Sequence, residues 1–382
     1  MTDRIGIIDI IHSSGSLKFK LIKLLDLCLG GFLAFIIFPS KKDMGAFDPA
    51  GSLLVIRPGG MGDAVVLLPV LNRLRAQYPF LTIDILCERR NAQVFLSQAL
   101  WQRNIYCYDD MGQLAHILRK CYDYVVDTEQ WHYLSALMGH ALRKKALIGF
   151  ATRPLRKKVL DIAVDYDLND YELNNFIRLF EPFGLQGQGL SVKDCFAVAG
   201  PLQIWAKAQL PGNNYAALFI GASIPERRLT IGQLKTIIDG LRAQGFKVVL
   251  LGGVDVLKLA KKIVQEVDAT RRDVLDYVGQ LSLEKSAAII QQCTCFIGAD
   301  SGLMHVASAL DVPVIALFGP GNMKKWAPQG ERDHIIYNAL PCSPCTRFGY
   351  TIPTCEGKVM CMRDLDLNRI QPCLESLRRP EQ

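Results

Sequence analysis

Ser52-Leu53-Leu54-Val55-Ile56 runs directly into Arg57-Pro58-Gly59-Gly60-Met61-Gly62-Asp63, and Leu67, Leu68, Leu71 and Leu74 follow at helical spacing. A short apolar run, a glycine-rich turn and a helical pattern open a βαβ unit. Two further strands read Thr82-Ile83-Asp84-Ile85-Leu86-Cys87 and Tyr124-Val125-Val126-Asp127. Alternation of this kind predicts a parallel, doubly wound α/β sheet. The turn is a poor dinucleotide fingerprint, because the third glycine position falls on branched Val65. Glu88, just after the second strand, keeps an NAD reading open. The turn does supply small residues, Gly60 and Gly62, that clear space above the sheet, and one carboxylate, Asp63, at the start of a helix. Aspartate there is a favoured helix cap; the alternative is a carboxylate that does chemistry.

The pattern repeats in the second half of the chain. Strands are expected over residues 215–220, 246–251, 295–298 and 312–318, each ending in glycine or a small residue. Ligands of open α/β sheets bind at that carboxyl edge. Gly252-Gly253 closes one strand, and Gly221-Ala222-Ser223 followed by Arg227 closes another. The densest signal is Gly298-Ala299-Asp300-Ser301-Gly302-Leu303-Met304-His305. Asp300 or Ser301 caps a helix whose first turn carries no bulky group, and such an end attracts anions. Ser301, Gly302 and His305 would surround a diphosphate there, whereas a plain cap and a core histidine are the bland alternatives.

The chain has 382 residues, a net charge of +7 and half of its residues hydrophobic, which suits two globular domains and excludes little else. No secretory signal opens it, so a reducing, cytoplasmic compartment is expected. Residues 18–42 carry Lys18, Lys20, Lys23, Lys41 and Lys42 against one acid, Asp26, around an apolar core from Leu27 to Phe38. A spanning helix needs roughly 20 apolar residues. An interfacial helix, with Phe32, Phe35 and Ile36 at the acyl boundary, costs less than burying Asp26 and Lys23 in a bilayer. Packing on the protein itself and a true span are the other readings. A basic cluster, Arg143, Lys144, Lys145, Arg153, Arg156, Lys157 and Lys158, has no acid among residues 143–158. It is either a solvated face or a site for a phosphorylated acceptor or anionic lipid, with Arg143, Lys144 and Lys145 as candidate phosphate ligands.

Three segments together resemble glycosyltransferase family 9, the ADP-heptose:lipopolysaccharide heptosyltransferases. They are the 57–63 turn with Leu67-Leu68-Pro69 and Leu74-Arg75, the 298–310 segment with Asp300-Ser301-Gly302 and His305, and Phe318-Gly319-Pro320 with Trp326-Ala327-Pro328 and Cys342-Ser343-Pro344-Cys345. The resemblance implies a GT-B fold, two Rossmann-like parallel-sheet domains facing across a cleft. It implies inverting, metal-independent transfer of a sugar, heptose from an ADP-sugar, to a lipopolysaccharide core or related glycolipid. Asp63 would be the base, and Arg227, Gly253, Asp300, Ser301, Gly302 and His305 would hold the donor. The family has a Lys followed by Arg-Trp-Pro where this chain has Arg227-Arg228-Leu229-Thr230. Arginine still offers charge and a bidentate fork for phosphate.

The expected partition is an amphipathic membrane-associating arm (1–49), an acceptor domain (50–190), a linker (191–212), a nucleotide-sugar domain (213–362) and a C-terminal helix (363–382) returning to the first domain. The partners expected are a nucleotide-sugar, a glycolipid acceptor and the inner face of the cytoplasmic membrane, with no nucleic acid. No cofactor is required by this chemistry. Cys342, Cys345, Cys355 and Cys361 form a thiol cluster whose spacing suits structural zinc, idle thiols or a disulfide. A nucleotide-sugar epimerase of the same fold, or a non-catalytic nucleotide-binding protein at the membrane, are the competing functions.

Overall fold

The computed structural model describes residues 5–13, 17–37, 44–98, 104–267, 273–352, 355 and 359–377. Lys41 and Lys42 at the end of the arm lie outside them. The chain divides into two compact units, Met1–Val192 and Lys193–Gln382.

The first unit is built on six parallel strands: β1 (Ser52–Arg57), β2 (Thr82–Cys87), β3 (Ile105–Cys107), β4 (Cys121–Asp127), β5 (Arg143–Phe150) and β6 (Ile162–Val164). Their order is β3-β2-β1-β4-β5-β6. Leu53, Leu54, Val55 and Ile56 are all fully buried, as a strand covered on both faces by helices requires. The second unit repeats the plan with β7 (Tyr215–Phe219), β8 (Lys247–Leu251), β9 (Val274–Asp276), β10 (Cys295–Ala299), β11 (Val314–Phe318) and β12 (His334–Tyr337). Its order, β12-β11-β10-β7-β8-β9, is the same topology. In each sheet the chain reverses direction of growth beside its first strand, so β1/β4 and β7/β10 are the topological switch points where such folds bind ligands.

Sequence spacing anticipated the central strands and missed the outer ones. β3, β6 and β9 are three residues long, too short to show periodicity. β5 escaped because its first residues, Arg143-Lys144-Lys145, disguise the buried run Ala146–Phe150. The segment expected to be a linker contains the helix Gly200–Gln209, which packs on the helix Leu283–Gln291; Lys285 Nζ lies 5.3 Å from the Trp205 ring centre. The last helix, Ile370–Leu377, was expected on the first domain. It instead packs on the helix Ile231–Ala243, and its buried Ile370, Leu374 and Leu377 complete the second core.

The arm is helical over Ile7–His12 and from residue 17 to 36, with a π-turn at Asp26–Gly30. Its inward face is the surprising one, because Lys23 and Asp26 are both 3 % exposed. Asp26 accepts the backbone N–H groups of Tyr133 (3.1 Å) and Leu134 (2.8 Å) and faces His132 Nδ1 at 3.2 Å. It therefore caps the helix Tyr133–Ala141 from a distant part of the chain, satisfying donors that the helix leaves open. Burial pushes the Asp26 carboxyl up, but the His132 and backbone hydrogen bonds outweigh it and hold it below its ordinary value. Gly30 permits the close approach: a Cβ there would stand 3.0 Å from Tyr133 Cβ. Among the described residues no helix is long and apolar enough to cross a membrane.

Candidate active site

At the first switch point the turn after β1 meets the segment after β4. Arg57 ends β1 and is 1 % exposed. Its guanidinium donates to the carbonyl oxygens of Pro58 (2.7 Å) and Thr128 (3.0 Å), and Nη2 lies 3.6 Å from both Asp63 Oδ1 and Glu129 Oε2. Gln130 Nε2 donates to Asp63 Oδ1 at 3.2 Å and to Glu172 Oε1 at 2.5 Å. Glu172 Oε2 in turn accepts from Tyr166 (2.9 Å) and Asn175 (3.2 Å).

Asp63 is the third residue of the helix Met61–Gln77 rather than its cap, which is Gly60. The glycines serve this placement. Gly59 sits at φ +99°, which disfavours any side chain, and a Cβ on Gly60 would stand 2.7 Å from Asp63 Oδ2. The Asp63 side chain is 21 % exposed against 8 % for Glu129, and Glu172 is fully buried. Asp63 is thus the most accessible carboxylate of this cluster.

The two glutamate carboxyls shift in opposite directions for physical reasons. Burial, then the Asp63 charge, pushes the Glu172 carboxyl well above the usual carboxylate range. Burial acts on Glu129 too, but the charges of His132, Arg57 and Arg156 outweigh it and hold its carboxyl low. Two like charges bridged by one amide are costly in a buried site, and that repulsion adds to burial in favouring the neutral form of Glu172.

A group whose folded pKa is raised adds stability that is fully present below its unfolded pKa and is lost as pH rises through the folded value. Glu172→Gln copies the neutral acid. The melting temperature of wild type relative to E172Q should therefore fall as pH rises from about 5 to 9. A difference that stays flat over that range would show that Glu172 is not held as the acid.

At the second switch point Arg227, after β7, meets Asp300, after β10. Arg227 Nη1 lies 2.9 Å from Asp300 Oδ2 and donates to the Asp300 carbonyl oxygen at 3.1 Å. Ser301, rather than Asp300, caps the helix Gly302–Ala309, accepting from Met304 N at 3.4 Å. Gly302 opens that helix, and His305, 3 % exposed, sits one turn in with its ring edge-on to Trp326 at 5.8 Å. The turn after β11 presses on the same corner: a Cβ on Gly321 would stand 2.4 Å from Asp300 Oδ2. Gly253 follows the neighbouring β8 and joins the Arg227 loop through the exposed pair Arg228–Asp255 at 3.2 Å. The structure thus gathers Arg227, Asp300, Ser301, Gly302 and His305, with Gly253 one strand away.

The candidate phosphate ligands Arg143, Lys144 and Lys145 are not brought together with Asp63. They begin β5, so they lie at the amino edge of the sheet, whereas Asp63 lies beyond the carboxyl end of β1. Lys145 pairs with Asp123 (2.7 Å), which binds the start of β1 at Ser52; Arg57 is five residues on, about 17 Å along the strand. Lys144 Nζ donates to the carbonyl oxygens of His140 and Leu142. Arg156 of the same cluster is fully buried on Asp127. Arg153 does reach the carboxyl edge, with its guanidinium 4.0 Å from the Tyr133 ring centre and 4.7 Å from that of Trp131.

Sequence reasoning overlooked Arg57, Glu129, Gln130 and Glu172. A lone arginine ending an apolar strand was the available signal for Arg57; the others had none, being joined only by the fold. The cysteine segment supports the second site: Ser343 Oγ donates to Gly319 O (2.6 Å) and Cys345 N to Pro320 O (3.1 Å). Burial, with Cys361, Cys355 and Cys342 nearby, pushes the Cys345 thiol up to about 11. Among the described residues no group of three or more His, Cys, Asp or Glu side chains is placed to hold a metal ion.

Comparison with known proteins places these two sites in context. The family model described as glycosyltransferase family 9 (heptosyltransferase) matches residues 111–353. The chain is 24 % identical over 292 residues to lipopolysaccharide heptosyltransferase 3 of Escherichia coli, covering 70 % of this chain and 83 % of the relative. It is 30 % identical over 311 residues to lipooligosaccharide heptosyltransferase 2 of Haemophilus ducreyi, covering 74 % and 88 %. The solved structure of E. coli ADP-heptose lps heptosyltransferase II superposes with a TM-score of 0.67 at 20 % identity, covering 85 % of this chain and 98 % of that one. That likeness concerns the fold, two Rossmann-like sheets of the GT-B kind.

Proposed function

The chain belongs to glycosyltransferase family 9, the heptosyltransferases, and from that premise we propose that it transfers heptose from ADP-heptose to a lipopolysaccharide-core glycolipid at the cytoplasmic face of the membrane, with inversion and without a metal. The observation that carries the reading is Asp63, the accessible carboxylate of an otherwise buried cluster at the first switch point. The names of the similar proteins support the donor and acceptor classes.

In this reading Asp63 takes the proton of an acceptor hydroxyl as its oxygen attacks the anomeric carbon. The new C–O bond forms as the bond to the diphosphate oxygen breaks, and ADP leaves with the electron pair. Attack opposite the leaving group inverts the anomeric configuration. Arg57 and Gln130 hold Asp63 Oδ1 in place, and Glu172, kept as the acid, adds no competing charge. On the second unit the diphosphate would meet Arg227 and the open amides at the start of the helix Gly302–Ala309. Those donors supply the charge compensation that the leaving group needs, which is the physical ground for proposing metal independence.

Arg227 is paired with Asp300, so a bound diphosphate must share or displace that partner. A ligand that binds only the native state raises the melting temperature by mass action. ADP and ADP-heptose should raise it equally with and without EDTA, and Arg227→Ala should remove most of the shift. Arg227→Lys should keep part of it, since charge survives while the fork geometry is lost. A shift with UDP- or GDP-sugars but none with ADP species would discard the heptose donor. A shift abolished by EDTA would discard metal independence.

A further inference from the structure

We propose that the N-terminal arm and the helix Pro154–Val159 together form one docking face for an anionic lipid bilayer. The proposal deepens the functional reading, resting on it only in assigning a lipid-borne acceptor. Two sequence features more than a hundred residues apart turn out to be neighbours. The helix Gly31–Ile36 packs against Pro154–Val159, Lys158 Nζ donates to the Phe35 carbonyl oxygen at 2.5 Å, and it stands 5.6 Å from the Phe35 ring centre.

The arm is inverted relative to a helix that faces water. Over residues 21–37 its two charged side chains, Lys23 and Asp26, point inward and are 3 % exposed. The eight exposed positions in the same stretch are all Leu, Ile, Phe or Cys. Phe32 and Phe35 are 60 % and 64 % exposed, and Leu21, Ile22, Leu25 and Ile36 are each more than half exposed. Ile7, Ile8 and Ile11 of the first helix are also at least half exposed, and Lys20 ties the two helices through the Ile11 carbonyl oxygen. Apolar side chains on this scale mark a surface that is covered in use.

The rim identifies the cover. Lys158 sits on Phe35, exposed Lys157 precedes it in the same helix, and that helix, Pro154–Val159, contains no acid. An apolar face bordered by lysines fits acyl chains below and anionic headgroups at the edge. A second copy meeting this face about a twofold axis would bring two basic rims together, which charge opposes. The face is the outer side of a docked helix, so binding leaves the fold beneath it unchanged.

Flotation of the full-length protein with phosphatidylglycerol-containing vesicles tests the proposal, with pure phosphatidylcholine vesicles as the neutral comparison. Wild type should float with the anionic vesicles, and binding should weaken as salt rises. The double variant Phe32→Ser/Phe35→Ser should lose at least tenfold in vesicle affinity. Because both rings are exposed, its melting temperature should match wild type. Lys157→Gln and Lys158→Gln should each cost about fivefold on anionic vesicles and little on neutral ones. Equal flotation of wild type and the phenylalanine variant would overturn the proposal. So would a wild-type dimer in solution that the same variant turns into monomer without vesicle binding, which would make the cover a second copy. Transfer to a delipidated, water-soluble acceptor tests the catalytic reading separately: it should be intact in the phenylalanine variant whichever way the flotation falls.

Discussion

Asp63→Asn should lower kcat by about 10²- to 10⁴-fold, the usual share of a positioned general base, while ADP binding stays as in wild type. Asparagine keeps the size of the side chain, so Gln130 and Arg57 retain a partner oxygen, but the group no longer accepts a proton at working pH. Arg227, Ser301 and Gly302, the groups proposed to bind the donor, belong to the other unit and are untouched. The test is steady-state transfer together with the ADP-induced melting shift. Undiminished kcat would remove Asp63 from the mechanism, and loss of the ADP shift would make its role structural. A secondary consequence follows from the buried cluster. Part of the upward push on Glu172 comes from the Asp63 charge, so the variant should ease Glu172 ionisation and shrink the pH-dependent gap from E172Q.

Arg156→Leu should cost about 3–5 kcal/mol of stability, the range for breaking one side of a buried ion pair. Arg156 is fully buried, and its guanidinium holds Asp127 Oδ2 at 2.7 Å. It also donates to the carbonyl oxygens of Phe150 (3.0 Å), Glu129 (2.6 Å) and His132. Removing it strands the Asp127 carboxylate at 0 % exposure and unties the segment after β4 that carries Glu129 and Gln130. For a unit of this size the melting temperature should drop by roughly 10 °C. Adding Asp127→Leu should recover part of the loss, because the uncompensated charge is then gone. A change within about 0.5 kcal/mol, the ordinary effect of a surface substitution, would mean Arg156 belongs to a solvated cluster after all.

The contrast between these two residues shows how far local pattern carries. The turn that carries Asp63 was legible because its backbone is set within twelve residues: a buried apolar strand, glycines that tolerate φ +99° and close approach, and a helix start. The Asp300-Ser301-Gly302 turn was legible for the same reason, although the sequence left open which residue caps the helix. The structure makes Ser301 the cap and turns Asp300 toward Arg227, 73 positions earlier. Arg156 was misjudged inside a run of basic residues, since charge in sequence looks the same whether it faces water or a buried aspartate. That Arg143, Lys144 and Lys145 open a strand was hidden behind their own charges.

The sequence by itself determined the two parallel sheets, the glycine turns at their carboxyl edges and the membership in a family of sugar transferases. Each of these is a short-range pattern, set by burial on both faces of a strand or by backbone angles within one turn. Only the tertiary structure decided which edge of the sheet each basic residue serves, that Gln130 links Asp63 to Glu172, and that the arm turns Lys23 and Asp26 in and Phe32 and Phe35 out. Those outcomes depend on partners far apart in the chain. Asp26 faces inward because the open amides of Tyr133 and Leu134 are there to receive it, more than a hundred residues away.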